Sequence, residues 1–470
     1  MTQPQLLCLK IDSPTGNGRD VNGIEEFHQI DELNELFSGR RIIRVPVEQN
    51  VPFTPRVRAL VDAREFQRLS DISQLGLVAK VYPGARHTRF EHALGVYFNA
   101  LQYLRQLVRD ERFREIVTPH QATVLIAASL LHDLGHWPFC HPIEDLELSG
   151  MPPHEAHASV FLAEGTEIGE ILKTEWGIEP REVLDVLVPQ RDTPSLRMIR
   201  SILSGPIDVD KMDYLDRDSL HCGVPYGRNF DRQRLIQSLV VNEQGDGLAI
   251  TSKGKTAAEL MVFARYVMFS EVYWHHAVRS ATCMFARSFF ELHEAFQWDE
   301  LFRMTDSEMI AALQNASHNT TSEPLMQGVF GRQRTLYKRA AEFGHDHAPE
   351  IYDRIAGRPF RNLVGVSNRL VESVSNKLRR QLCETDILVD GPPPHREVEF
   401  EVDVYFPKQG TFRPLRLASP VVDALARTQF DESVKKVRVF VRPQLRQELT
   451  GFDWYSAIMS ITDEEASETS

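Results

Sequence analysis

Residues Val124–Leu131 are apolar except for Ser129, and the run passes directly into the dipeptide His132-Asp133. A helix with so few polar positions has no face to give to water, so it must sit among other elements. Thr118 and Pro119 supply a helix start, a capping residue followed by proline in the first turn, and Gly135 with Pro138 supplies the stop. The His-Asp pair is thereby placed on the last turn of a mostly buried helix. A carboxylate there needs a partner, because burying an unpaired charge is costly. A metal ion would serve, and so would a hydrogen-bonded pair that caps the helix.

At 470 residues the chain can hold two or three domains and a large core. The net charge of −13 argues against non-specific binding to nucleic acid, which needs a basic face, but leaves room for a local Arg/Lys pocket that takes a small polyanion. The five cysteines, Cys8, Cys140, Cys222, Cys283 and Cys383, are odd in number and scattered, with no Cys-x-x-Cys, and read as reduced thiols. No apolar run reaches the length of a membrane span, and Met1-Thr2-Gln3-Pro4-Gln5 lacks a signal-peptide pattern. A soluble cytoplasmic protein is expected, with neither membrane nor nucleic acid as a partner.

Along the chain, residues 1–50 are polar with dispersed Pro and Gly and one β-like piece at Arg41–Val45, which predicts an irregular arm. A helical body is predicted over 51–382: a helix from Pro55 to near Gly76, one from Arg89, the central helix, helices over 154–174 and 180–188, and helical patterns through 195–220, 255–317 and 310–350. After residue 383 the period changes to two, with Val398, Phe400, Val402, Val404 and Phe406 alternating with polar residues. Further strands are expected at Val437–Val441 and Asp386–Val389, and a helix over Pro420–Thr428. Fold class is therefore mostly α, with a small C-terminal α+β subdomain over 383–461 and a disordered acidic tail over 462–470.

Histidine is the unusual commodity. Eight of the 17 lie between residues 87 and 157, where even scatter would put two or three. Clustered His with Asp or Glu is what a metal site or a proton-transfer site requires. His92, His132, Asp133 and a later Asp on a helix would make four ligands with positions left open, as in a hydrolytic site. The acid-rich stretch Asp208–Asp218 offers that Asp, although so many charges also suit a solvated helix face. Within it Lys211, Tyr214 and Asp218 share one side of a helix, which suits a phosphate at one end and a sugar hydroxyl at the other.

These residues resemble a known family. His92, His132-Asp133 and Asp210 match the H…HD…D signature of the HD superfamily of metal-dependent phosphohydrolases. Phe66–Leu69, Gln74-Leu75-Gly76, Tyr82–Ala85, His87–His92, His132–His141 and Asp208–Asp218 are similar to the deoxynucleoside triphosphate triphosphohydrolases, on the branch of the SAM-and-HD-domain dNTPase and its bacterial relatives. The resemblance implies that His92, His132, Asp133 and Asp210 bind one divalent metal (manganese, iron, magnesium, zinc or nickel). It implies that His154 protonates the departing 5′-oxygen, with His136, His141 and Glu144 completing the proton-handling group. Arg89, Lys211 and Tyr214 would hold the triphosphate, Gln74 and Asp218 the sugar 3′-hydroxyl, and Leu75 the base, with His276 as a further substrate-side residue. A homo-oligomer, a tetramer in the family, would carry a regulatory nucleotide near Arg41, Asp62 and Gln67.

The sequence also departs from the family pattern. Ser70 and Arg44 stand where the regulatory site has an arginine and an asparagine, and Val272 stands where a substrate-side arginine is expected. Bland readings accompany the sharp ones: His154 and His157 could cap a helix, and Arg89 could pair with Glu91 or Glu65. A nucleotide phosphomonoesterase, or a nucleotide sensor without turnover, is the rival function.

Overall fold

The computed structural model describes residues 20–48, 50–393, 401–427 and 434–469. Three helices position everything that follows: α1 (Arg89–Leu107), α2 (Pro119–Leu131) and α3 (Val209–Cys222). Helix α2 starts on a reciprocal cap, in which Thr118 Oγ1 accepts from the Gln121 amide at 3.2 Å and Gln121 Oε1 accepts from the Thr118 amide at 3.0 Å. Every residue from Ala122 to Leu131 is buried, as an all-apolar helix requires. Helix α1 packs against both α2 and α3. Its Leu94, Val96, Leu101 and Leu104 are fully buried, each contributing on the order of 2 kcal/mol of transfer free energy. Helix α3 is capped by Asp208, whose Oδ1 accepts from the Lys211 amide at 2.7 Å.

Two glycines set how closely these elements approach. A Cβ on Gly95 would lie 1.8 Å from Asp213 Oδ1 and 2.3 Å from Arg217 Nη2, so α1 and α3 can touch only with a bare backbone there. A Cβ on Gly135 would lie 2.1 Å from the His154 carbonyl oxygen, so the turn after α2 presses onto the first turn of helix His154–Phe161. The beginning of α1, the end of α2 and the beginning of α3 thus meet at one place.

The rest of the chain wraps this trio. Helices α4 (Lys255–Met268) and α5 (His276–Leu292) follow, and α5 anchors a second apolar cluster with Trp137, Phe139, Phe302 and Met326. A four-stranded sheet joins β1 (Leu239–Val241), β2 (Leu248–Thr251), Asp403–Phe406 and Thr411–Pro414, with the β2 contact to Asp403–Phe406 parallel and the others antiparallel. A three-stranded antiparallel sheet places Val437–Val441 between Lys338–Phe343 and Ile387–Asp390. Helices Phe360–Leu378 and Trp454–Thr469 cover it around a third cluster.

A mostly helical body with a smaller α+β C-terminal region is the architecture expected from the sequence, but several local expectations are corrected. The arm is not irregular where it is described: Asp20–Phe27 and Asp31–Ser38 are helices, and Phe27, Ile30 and Leu33 join the main core. Buried Glu32 fixes them there by accepting from Thr54 Oγ1 and from the Arg56 guanidinium. The helix from Pro55 breaks at Ala63 (φ −65°, ψ 142°) and resumes as Arg64–Gln67 and a 3-10 turn, Arg68–Asp71. The helical pattern over 310–350 ends at Phe330, and Lys338–Phe343 is a strand, because it pairs with residues a hundred positions later, which local periodicity does not report. The α+β region therefore starts before residue 383, and Val402, Val404 and Leu415 pack into the main core instead of a separate one. Val398 and Phe400, and Thr428 at the end of the predicted helix, lie outside the described residues. The acidic tail expected to be disordered is helical as far as Thr469, held by ion pairs of Arg354 with Asp463 and of Arg358 with Glu465.

Among the described residues no helix is long and apolar enough to cross a membrane.

Candidate active site

The four residues of the H…HD…D pattern come together although 118 positions separate the first from the last. The Nε2 atoms of His92 and His132 are 3.3 Å apart. Asp210 Oδ1 lies 3.0 Å from the first and 4.0 Å from the second, while Asp133 lies 3.8 Å from His92 Nε2 and 3.4 Å from His132 Nε2. Ligand atoms of His92, His132 and Asp133 all fall within 4.8 Å of one another.

Both imidazoles are held in the tautomer a metal needs. His92 Nδ1 donates to Asp213 Oδ2 at 2.7 Å, and His132 Nδ1 donates to the Ser129 carbonyl at 2.9 Å, which turns each Nε2 lone pair inward. Asp213 is itself gripped by Arg217 through two bonds of 2.8 and 2.7 Å, and Arg217, fully buried, also donates to Glu91. Burial disfavours charge on His92, but its hydrogen bonds with Asp210 and Asp213 outweigh this and raise its pKa to about 10. The pocket asks for positive charge, which a proton or a divalent ion can supply. Burial likewise opposes ionisation of Asp133, yet Arg89, 2.8 Å away, and the histidines around it hold the carboxyl well below the usual range. Two imidazoles and two carboxylates form a donor set that a divalent first-row metal accepts, so the residues fit the metal that the sequence pattern implies.

Beside this cluster a second group is assembled. Glu144 accepts from the backbone amide of His154 at 2.9 Å and from its Nδ1 at 2.8 Å, so the Nε2 of His154 faces away from Glu144. His141 Nδ1 lies 3.6 Å from the same carboxylate, and the His136 and His154 rings are 3.9 Å apart. Burial opposes the charge on Glu144, but the bonds from His141 and His154 win and hold the carboxyl below its ordinary value. For His136 burial and then Arg89 push the pKa well below that of a free imidazole, so it stays neutral. This is an imidazole–carboxylate pair of the kind that delivers a proton.

The two groups open on one cleft. Its metal end is lined by the cluster residues, His154 and His136, and its far end by Leu75, Lys211, Asp218 and Tyr273, with Gln74, Arg89, His141 and Tyr214 shared between the ends. Lys211 Nζ donates to Asp208 at 2.6 Å, and Asp218 accepts from His87 Nε2 at 2.9 Å and from the Tyr273 hydroxyl at 2.5 Å. Fourteen of the fifteen metal, catalytic and substrate residues singled out from the sequence thus sit in or directly against the cleft. His276 does not: it opens α5 with its ring against His275, outside the residues that line the cleft. Arg41, Asp62 and Gln67 also lie off it; Arg41 is 4.0 Å from Glu35, Asp62 pairs with Arg58, and Gln67 donates to the Val61 carbonyl.

Sequence reasoning missed Asp213, Arg217, Arg265 and Tyr273. Asp213 carried a signal, since it lies three residues after Asp210 and shares its helix face. Arg265 is buried in the cleft wall beside Lys211 and Tyr214, and adds a cation there. Arg68 donates to the carbonyls of Leu134 and His136 at 2.8 and 2.9 Å and so pins the turn that carries the histidines.

Comparison with known proteins gives relatives for this arrangement. The family described as HD associated region matches residues 230–469, half of the chain. YwfO of Bacillus subtilis is 34% identical over 266 residues, 56% of this chain and 58% of that protein. The deoxynucleoside triphosphate triphosphohydrolase SAMHD1 of Gallus gallus is 28% identical over 381 residues, 69% of this chain and 61% of that protein. The chain thus spans about three-fifths of these curated relatives. Among solved structures, a phosphohydrolase from Bacteroides thetaiotaomicron superposes with a TM-score of 0.63 at 25% identity, covering 86% of this chain and 100% of its own. The chain belongs to the HD superfamily, on the branch shared by SAMHD1 and its bacterial relatives.

Proposed function

We propose that the protein hydrolyses deoxynucleoside triphosphates, releasing deoxynucleoside and tripolyphosphate in one step. One observation carries the reading: a single cleft holds a His/Asp ligand cluster and an imidazole–carboxylate pair at one end, cations in its wall, and a carboxylate with an apolar side chain at the other end.

His92, His132, Asp133 and Asp210 would hold the divalent ion. When bound, the ion supplies Lewis acidity, acidifying water and offsetting phosphate charge. Arg89, Lys211 and Arg265 balance the rest of the polyphosphate charge, Arg89 as a planar fork and Lys211 as a point charge. Both already face carboxylates, Asp133 and Asp208, which fixes their direction before substrate arrives. Asp218 keeps lone pairs for the sugar 3′-hydroxyl beside its bonds to His87 and Tyr273, and Gln74 adds a second polar contact. Leu75 under the base is indifferent to base identity, so several deoxynucleotides are accepted, and a ribose is refused where its 2′-hydroxyl is left crowded or unpaired. His154, oriented by Glu144, passes a proton to the leaving 5′-oxygen.

The active form is a homo-oligomer, a tetramer on the family pattern. Leu260, Phe263, Leu417 and Val421 support this, being exposed apolar side chains on the adjoining helices α4, Leu415–Ala418 and Pro420–Arg427. A regulatory nucleotide near Arg41, Asp62 and Gln67 belongs to that assembled form; light scattering with and without nucleotide checks it.

The function is tested by incubating metal-loaded protein with dATP, dGTP and dAMP. Nucleoside and tripolyphosphate from the triphosphates, with dAMP untouched, is the expected outcome. Orthophosphate from dAMP would identify a phosphomonoesterase, and inertness on every dNTP would identify a sensor.

A further inference from the structure

Beside the proton-handling pair lies a thiol that the proposed reaction does not use. Cys140 opens the short helix Cys140–Glu144, is 2% exposed, and contributes to the lining of the cleft. Its ligand atom lies within 4.8 Å of one from His136 and one from His154, and those two are likewise within 4.8 Å of each other. Glu144 belongs to an overlapping group with His141 and His154. His136 is only 5% exposed, and its Nδ1 is buried without a hydrogen bond. It lies 3.1 Å from Asp133 Oδ1, but not in line with it.

This donor set differs in kind from the His92/His132/Asp133/Asp210 cluster. Imidazoles and carboxylates suit most divalent first-row ions, whereas one thiolate with two imidazoles selects thiophilic ions such as zinc or cadmium. The thiol also comes from a helix turn fixed against the second core, since Phe139, Cys140 and Ile143 all pack there. Its position does not depend on a mobile side chain.

We propose that Cys140, His136 and His154 form a second, inhibitory site for a thiophilic divalent ion, separate from the hydrolytic metal cluster. Occupation breaks the S–H bond and forms a metal–sulfur bond. The proton is released to solvent. Occupation also ties up His154, so turnover stops although the His/Asp cluster keeps its own ion. Only this inhibitory consequence rests on the function proposed above; binding itself does not.

The test uses the full chain with manganese held in excess, titrated with cadmium ion alone. The site predicts a thiolate-to-cadmium charge-transfer band that saturates at one ion per chain and tracks the loss of dNTP hydrolysis. Cys140→Ser, near-isosteric and checked for folding by circular dichroism, loses both the band and the cadmium sensitivity measured against its own cadmium-free rate. His136→Gln keeps the band but moves half-saturation by at least the ~10-fold that loss of a supporting group costs a metal site. A band that persists in Cys140→Ser, and so arises from another cysteine, overturns the proposal. So does inhibition without any band and equal in both proteins, since cadmium would then be displacing the ion at His92 and His132. Because the band is read without substrate, a protein that binds cadmium yet hydrolyses no dNTP would sink the proposed function and leave the site standing.

Discussion

Asp133 and His154 line the same end of the cleft, and substitution separates the work proposed for each. Asp133→Ala removes a ligand, so both the bound metal, measured by elemental analysis, and hydrolysis are lost. His154→Ala removes only the proton donor, so metal content stays at the parent value while kcat falls by about 10²–10⁴. Loss of metal in the second variant would contradict the division of roles. Asp213→Ala leaves all four ligands in place but frees the His92 ring, and metal affinity by calorimetry drops about 10–100-fold. The H…HD…D residues were legible because His and Asp are rare in apolar surroundings and need partners there. Arg217 was not, because nothing in an acid-rich helix distinguishes an arginine that faces solvent from one buried against a carboxylate, and Asp213 was marked only by its three-residue spacing from Asp210. His276 lies outside the cleft although the run Tyr273-Trp274-His275-His276 holds two of its lining residues, Tyr273 and Trp274, because the chain turns before His276.

At the scale of elements, the site depends on three helix ends meeting, and the closest approach is at Gly95. Gly95→Ala would drive a methyl group into Asp213 and Arg217. Expected costs are about 1–3 kcal/mol of stability from overpacking, read as a lower denaturation midpoint, together with weakened metal binding, because the displaced Asp213 no longer orients His92. A variant that loses stability but binds metal as the parent does would break the link between helix approach and ligand geometry. The start of α2 could be read from its capping residues and the buried face of α1 from apolar spacing, whereas α2 ends at Leu131, so His132 and Asp133 follow its last turn instead of lying on it. The break at Ala63 could not, because its purpose is tertiary: it leaves Arg68 reaching the carbonyls of Leu134 and His136, residues more than sixty positions away. Strand Lys338–Phe343 was missed for the same reason, being defined by its partner Val437–Val441 and not by its own pattern.

For the molecule as a whole, stability carries a pH dependence to which His157 contributes. His157 is buried against Trp137, Phe161 and Phe302, and its Nε2 has no hydrogen bond. Burial, then Arg68 and Arg303, lower its pKa to about 4. In the unfolded chain the ring takes up its proton near pH ~6.5, so the unfolded state binds more protons between the two values. Its contribution is therefore full above pH ~6.5 and is lost progressively as pH falls toward about 4, by up to ~3 kcal/mol. Denaturant titrations of His157→Phe at about pH 7.5 and about pH 5 should show a smaller loss than the parent, and an equal loss would assign the effect elsewhere. Hydrolysis at the α-phosphorus is decided by the fate of the attacking oxygen. Metal-loaded protein acting on dGTP in heavy-oxygen water should give labelled tripolyphosphate and unlabelled deoxyguanosine, because attack at the α-phosphorus severs the bond to the 5′-oxygen. Label in orthophosphate or pyrophosphate, or in the nucleoside hydroxyl, would contradict it.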